Sequence, residues 1–299
     1  MGFAVQFAEV TPRPFTVIAG FLGAGKTTLV NRILSQSDGT RYAVLVNDFG
    51  AINVDAGLIE KHDGKTLALT NGCICCSMAD GFVQTMLQLM ADPDAFDHVI
   101  VEASGVAEPS KIMDFARLDP QLEPDAIVTL IDAETVTERL EDHRVGAVVA
   151  AQIRQGDLLV LNKTDLTDPT PASAQVTRLN PDAPVLEASN ANLPLNAVLG
   201  SHLHDAEAVR QTSTHPDFHT QLLRSDKPIA KEDFHAWEAA LPSCLLRGKG
   251  LVVLELQSTH IWQRVGKRGT LVETDPNPDL PSTEIVLIAA QPFDVSDLP

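Results

Sequence analysis

Short apolar runs alternate with helix-length segments over the first two-thirds of the chain. The runs are Phe15 to Ala19, Tyr42 to Val46, Thr66 to Leu69, His98 to Val101, Ala126 to Ile131, Asp157 to Leu161 and Pro184 to Glu187. Several are rich in Val and Ile, as strands buried on both faces are, and the alternation predicts a parallel sheet covered by helices. Helices are expected at Lys26 to Ser35, Met78 to Met90, Lys111 to Ala116 and Ala133 to Leu140, among others. From about Leu193 to Pro228 the pattern gives way to His, Ser, Thr and Asp, and four of the nine histidines (His202, His204, His215 and His219) fall there. That stretch reads as a linker, although its histidines could also capture a metal ion. Beyond it, a helix at Lys231 to Leu241 and strands at Gly250 to Ser258, His260 to Val265 and Glu284 to Ala289 are expected. The resulting division is a parallel-sheet domain over 1–195, a linker over 196–228 and a small α+β domain over 229–299.

The first run leads into Gly20-Phe21-Leu22-Gly23-Ala24-Gly25-Lys26-Thr27-Thr28, a G-x-x-x-x-G-K-[ST] loop between a strand and a helix. Gly20, Gly23 and Gly25 let the backbone close around phosphate oxygens, with Ala24 and Thr28 in the same cradle. The helix N-terminus offers free N–H groups, Lys26 reaches the terminal phosphates, and the Thr27 hydroxyl can bind Mg²⁺. The fold class is therefore α/β, a P-loop NTPase parallel-sheet domain followed by a small α+β C-terminal domain. The sixth run ends in Asn162-Lys163-Thr164-Asp165, an N-K-x-D pattern. Asp165 can accept from the N1–H and the N2 amine of guanine, donors that adenine lacks, which points to GTP and GDP. Between the two, Val101-Glu102-Ala103-Ser104-Gly105 places an acidic residue at a strand end, where it can hold Mg²⁺, and Gly105 where its N–H can sense a γ-phosphate. Asn47-Asp48-Phe49-Gly50 to Asp55 occupies the position of a first switch, with Asp48 and Asp55 as candidate metal or water contacts.

Composition narrows the partners. The 299 residues carry 22 Lys and Arg against 40 Asp and Glu, a formal charge of −18, which disfavours nucleic acid and anionic membrane surfaces. Apolar residues make up 44% and charged residues 21%, an ordinary globular balance. No apolar run approaches the roughly 18 residues of a membrane span, and the N-terminus lacks a basic region followed by an apolar one. Of four cysteines, three are packed into Asn71-Gly72-Cys73-Ile74-Cys75-Cys76, too close together for a disulfide framework. A reducing cytoplasmic location is expected. Three thiolates in four positions suit Zn²⁺, Co²⁺ or Cu⁺ and leave a fourth tetrahedral position for a recipient, although buried inert thiols or a redox group remain alternatives. Cys244 is expected in the core. Arg247, Lys249, Arg264, Lys267 and Arg268 form a local basic group that either pairs with acids of the first domain, docks a partner or is scattered surface charge.

In content and order, Gly20 to Thr28, Asn47 to Asp55, Asn71 to Cys76, Glu102-Ala-Ser-Gly-Val-Ala-Glu-Pro109 and Asn162 to Asp165 resemble the CobW-like metallochaperone GTPases. The C-x-C-C element between two switches makes the combination specific. A weaker resemblance runs through Leu245 to Leu254 and Glu284 to Ala289. It implies a GTPase that binds Zn²⁺ (or Co²⁺) at Cys73, Cys75 and Cys76 and delivers it to a client metalloenzyme. Thr27, Asp55 and Glu102 would hold magnesium, and Lys26, Thr27, Glu102 and Asp48 would serve catalysis. Two alternatives stand beside it: a metal sensor, and a regulatory GTPase without metal transfer. A second copy of the chain is an admissible partner. Val106 stands where Ras-like proteins carry a water-orienting Gln, so slow hydrolysis is expected without metal or a partner.

Overall fold

The structure, a computed structural model, describes residues 12–36, 39–47, 66–69, 79–200, 219–255, 258–274, 282–289 and 291–299. Its first sheet contains β1 (Arg13–Ala19), β2 (Tyr42–Asn47), β3 (Thr66–Leu69), β4 (His98–Glu102), β5 (Leu122–Asp132), β6 (Leu158–Asn162) and β7 (Val185–Ala188). All seven run parallel in the order β3-β2-β4-β1-β5-β6-β7. The helices that connect them are α1 (Lys26–Ser35), α2 (Ala79–Met90), α3 (Pro109–Leu118), α4 (Val136–Glu141), α5 (Gly146–Gln155) and α6 (Thr170–Leu179), followed by the short α7 (Leu195–Val198).

Successive residues of a strand face opposite sides, and β1 shows the result. Ile18 packs with Leu29, Val30 and Ile33 of α1, whereas Phe15 and Val17 pack with Phe82 and Met86 of α2 and Ile112 and Met113 of α3. Both faces being covered explains the continuous apolar runs, since His98 to Glu102 are buried at every position. Pro109 opens α3, where its missing N–H breaks no helical bond.

The second sheet is antiparallel, in the order β11-β10-β9-β12-β8. Its strands are β8 (His219–Ser225), β9 (Leu245–Val253), β10 (Thr259–Val265), β11 (Arg268–Thr274) and β12 (Thr283–Ala289). Helix α8 (Lys231–Ala240) covers it, with Phe234 and Trp237 packed on Trp262, Leu245 and Ile285. Cys244, expected in the core, is half-buried at the edge of this cluster.

The interval expected as linker is structured at both ends. Ala197, Val198 and Leu199 are fully buried in the core of the first sheet, and β8 pairs with β12 along its whole length. Both segments are short and lie beside polar residues, so composition averaged over the interval hides them. His219 opens β8, while His202, His204 and His215 lie outside the described residues. The basic group does pair with the first domain. Arg247 meets Asp125, Lys249 lies 3.9 Å from Glu123, Arg268 lies 2.7 Å from Asp157 and Lys267 lies 2.9 Å from Asp182. Arg264 instead donates to the carbonyls of Gly266 and Glu238.

Candidate functional site

At the carboxyl edge of the parallel sheet, the chain leaves β1 through the glycine-rich loop and enters α1. Gly20 has φ +134, and a Cβ there would strike the Leu130 carbonyl of the neighbouring strand β5. Gly25, at the N-cap of α1, has φ +104 and lies against the Asn162 amide. Both positions therefore require glycine, for conformation and for space. Gly23 also has positive φ, and Ala24 is buried beneath the loop. The Lys26 ammonium donates to the carbonyls of Gly20 (3.0 Å) and Phe21 (3.3 Å), so it sits over the loop it follows.

Thr27 donates its hydroxyl to Glu102 Oε1 at 2.7 Å across 75 residues. Glu102 ends β4 and is only 3% exposed. A buried carboxylate beside a hydroxyl is a pair of hard oxygen donors, the set that Mg²⁺ prefers, so these residues fit that ion. They line a cavity of about 250 Å³ together with Gly25, Lys26, Ser104 and Gly105. The half-buried Thr28 borders the same space. Ser104 is 5% exposed, and its Oγ has no hydrogen-bond partner among the described residues. Leaving a buried hydroxyl unsatisfied costs about 1–3 kcal/mol.

On the other side of β1, the Asn162 amide bonds backbone at both ends. Its Nδ2 donates to the Ala24 carbonyl at 2.9 Å, and its Oδ1 accepts from the Ala191 N–H at 2.8 Å. It thus ties the glycine-rich loop to the turn after β7, where Asn190 and Ala191 both have positive φ. Lys163 pairs with Asp132 at 2.6 Å, and Asp165 is exposed beside them. The structure thus gathers Gly20, Gly23, Ala24, Gly25, Lys26, Thr27, Thr28, Glu102, Gly105, Asn162, Lys163 and Asp165 along one edge. Asp48, Asp55, Cys73, Cys75 and Cys76 lie outside the described residues, and among those described no group of three His, Cys, Asp or Glu side chains could hold a metal ion.

Sequence reasoning missed three participants. Asp132 had a signal, an acidic residue ending an apolar strand. Gln152 had none: it lies in α5, 2% exposed, and donates through Nε2 to the carbonyls of Gly105 (3.2 Å) and Ala107 (3.0 Å). Ser104 was read only as part of a motif.

Residues 14–187 match the model of the CobW/HypB/UreG nucleotide-binding domain, and residues 218–298 match that of the cobalamin synthesis protein CobW C-terminal domain. Zinc chaperone CobW of Sinorhizobium sp is 32% identical over 219 residues, covering 62% of this chain and 62% of that protein. Zinc-regulated GTPase metalloprotein activator 1 of Schizosaccharomyces pombe is 34% identical over 200 residues, covering 62% of this chain and 48% of that protein. Zinc chaperone YjiA of Escherichia coli is 31% identical over 219 residues, covering 70% and 68% respectively. The matched stretch thus spans less than two-thirds of the length of the first two relatives. No helix among the described residues is long and apolar enough to cross a membrane. The chain belongs to the CobW/HypB/UreG nucleotide-binding family and carries the CobW C-terminal domain beside it.

Proposed function

We propose that the protein is a GTP-hydrolysing metallochaperone, which binds a divalent transition metal, Zn²⁺ foremost, at Cys73, Cys75 and Cys76 and transfers it to a client metalloenzyme. The observation that carries the GTPase part is the bond between Thr27 and Glu102 beside Lys26, in a cavity that the glycine-rich loop separates from Asn162 and Asp165. Lys26 and the α1 N-terminus bind the phosphates, Thr27 and Glu102 hold Mg²⁺, and Asp165 selects guanine. When bound there, Mg²⁺ neutralises charge on the β- and γ-phosphates. Water adds to the γ-phosphorus while the bond to the bridging oxygen breaks, giving GDP and phosphate. Asp48 and Asp55 complete the first switch, and Gly105 reports the γ-phosphate to the following loop.

The metal part rests on the C-x-C-C motif and on the zinc named for the relatives. Nucleotide state and metal affinity are linked reciprocally: if GTP tightens metal binding, metal tightens GTP binding by the same factor. Zn²⁺ titration of protein loaded with GDP or with a non-hydrolysable GTP analogue tests this. A difference of at least about fivefold is expected. Equal affinities would overturn the switch, and a normal GTPase response to metal in Cys75→Ser would favour a regulatory GTPase without metal transfer. Loss of labelled zinc to an apo-enzyme on hydrolysis separates a chaperone from a sensor.

A further inference from the structure

The turn after β7 holds its backbone against a local preference. Ser189 to Asn192 close on a bond from the Asn192 N–H to the Ser189 carbonyl at 3.0 Å, and the two residues between, Asn190 and Ala191, have φ of 52° and 51°. Two successive left-handed residues ordinarily call for Asn and Gly. Asn190 suits the first place, but Ala191 stands in the second with a Cβ, fully buried in the core of the first sheet. Turning over the peptide between them would return Ala191 to negative φ. A strained residue of this kind persists where its surroundings hold it.

That one peptide is gripped at both ends. Its N–H, from Ala191, donates to Asn162 Oδ1 at 2.8 Å, and its carbonyl, from Asn190, accepts from Arg32 Nε at 2.8 Å. Arg32 Nη1 donates in addition to Asn192 Oδ1 at 3.0 Å, so one planar guanidinium bridges the turn across Ala191. Thr164 meanwhile gives its N–H (3.2 Å) and its hydroxyl (3.1 Å) to the Ala188 carbonyl, just before the turn. Asn162 and Thr164 belong to the N-K-x-D loop itself, whereas Arg32 comes from the last turn of α1, the helix that the glycine-rich loop opens. Asn162 closes the circuit by donating to the Ala24 carbonyl of that loop. The turn is the neighbour of the N-K-x-D loop because β7 pairs with β6. Resting on the guanine-nucleotide reading above, we infer that Arg32 is a positioning residue for the base: by fixing the Asn190–Ala191 peptide it keeps Asn162, and with it the loop bearing Asp165, in the arrangement that receives guanine.

The test measures the affinity of the full chain, with Mg²⁺, for GDP, a non-hydrolysable GTP analogue and inorganic tripolyphosphate. Arg32→Met keeps the stem of the side chain and removes its donors. Loss of two hydrogen bonds to the turn predicts about tenfold weaker binding of both nucleotides, with tripolyphosphate affinity and kcat at saturating GTP unchanged. Arg32→Lys, which can satisfy one of the two acceptors, should lose about threefold, and it carries the test if the methionine variant does not fold. Adding Ala191→Gly to either variant should restore nucleotide affinity to within about twofold of Ala191→Gly alone, because glycine adopts positive φ without the clamp. Unchanged nucleotide affinity in both Arg32 variants, an equal loss for tripolyphosphate, or no restoration by glycine overturns the inference and leaves the GTPase reading intact. Wild-type protein that binds neither nucleotide overturns both.

Discussion

The hydroxyl of Thr27 and the carboxylate of Glu102 meet because α1 begins where β1 ends and β4 lies next to β1 in the sheet. Removing the carboxylate charge with Glu102→Gln keeps the size of the side chain but would weaken the proposed Mg²⁺ site. On that proposal the metal would supply several kcal/mol of transition-state stabilisation, so a fall in kcat on the order of 100-fold is expected, measured as phosphate release at saturating GTP. The base pocket has its own single-residue test. Asp165→Asn replaces a group that only accepts hydrogen bonds by one that also donates, which suits xanthine, whose C2 carries a carbonyl in place of guanine's amine. GTP affinity should fall by about 100-fold or more while XTP binding appears, a reversal readable by competition with a fluorescent nucleotide.

Among the elements, α5 is the least conspicuous in the sequence and has one of the more consequential positions. Gln152 holds the Gly105 and Ala107 carbonyls, and Gln155 accepts from the Ser110 N–H at 3.1 Å, so one helix grips both ends of the loop that follows Glu102. Gln152→Leu keeps the volume and removes both donors. It should leave GDP affinity unchanged and lower kcat about tenfold, because the loop bearing Gly105 loses two hydrogen bonds worth about 1 kcal/mol each; pre-steady-state and steady-state phosphate release would check this. The strands of the parallel sheet were legible because each is a compact apolar run. Helix α5 is harder to read, because Val148, Val149, Ala150 and Ala151 follow one another and blur the helical period of apolar and polar positions. Strand β8 was hidden for a different reason, since only Leu223 along it is buried and its other positions are half-exposed or exposed. Strand β11 has no buried position at all, so pairing with β10 rather than burial defines it.

At the scale of the molecule, the second sheet meets the amino-terminal half of the first through ion pairs, on the side away from the glycine-rich loop. Asp125 is fully buried; burial pushes its carboxyl up, but Arg247, His98 and the Thr16 hydroxyl together hold it at about 2. The Thr16 bond to it measures 2.6 Å, and Arg247 also donates to the Val198 carbonyl at 2.6 Å. Arg247→Met would strand a buried carboxylate and cost about 3–5 kcal/mol of stability in urea unfolding at pH 7. Glu123 and Lys249 behave differently: burial raises the first and lowers the second, so the pair leans towards neutrality, and Lys249→Met should cost less than Arg247→Met. Because the folded-state value of Asp125 lies below that of the unfolded chain, its stabilisation is complete above about pH 4 and is lost as the pH falls through about 2. The double variant Asp125→Asn with Arg247→Met should lack that part of the acid dependence, about 2 kcal/mol, when unfolding is followed between these two pH values.

The amino-acid sequence by itself determined the parallel strands, the glycine-rich loop with Lys26 and Thr27, the N-K-x-D pattern of Asn162 to Asp165 and the C-x-C-C element. Each is encoded within a few neighbouring residues, by a compact apolar run, by glycine where φ must be positive or by the spacing of donor atoms. Only the tertiary structure decided that Thr27 touches Glu102, that Asn162 ties two loops together, that Gln152 holds the loop after Glu102 and that the basic residues of the second sheet close onto Asp125, Glu123 and Asp157. Those contacts join residues as many as 138 positions apart, and they depend on the order in which the strands assemble, which no local pattern carries.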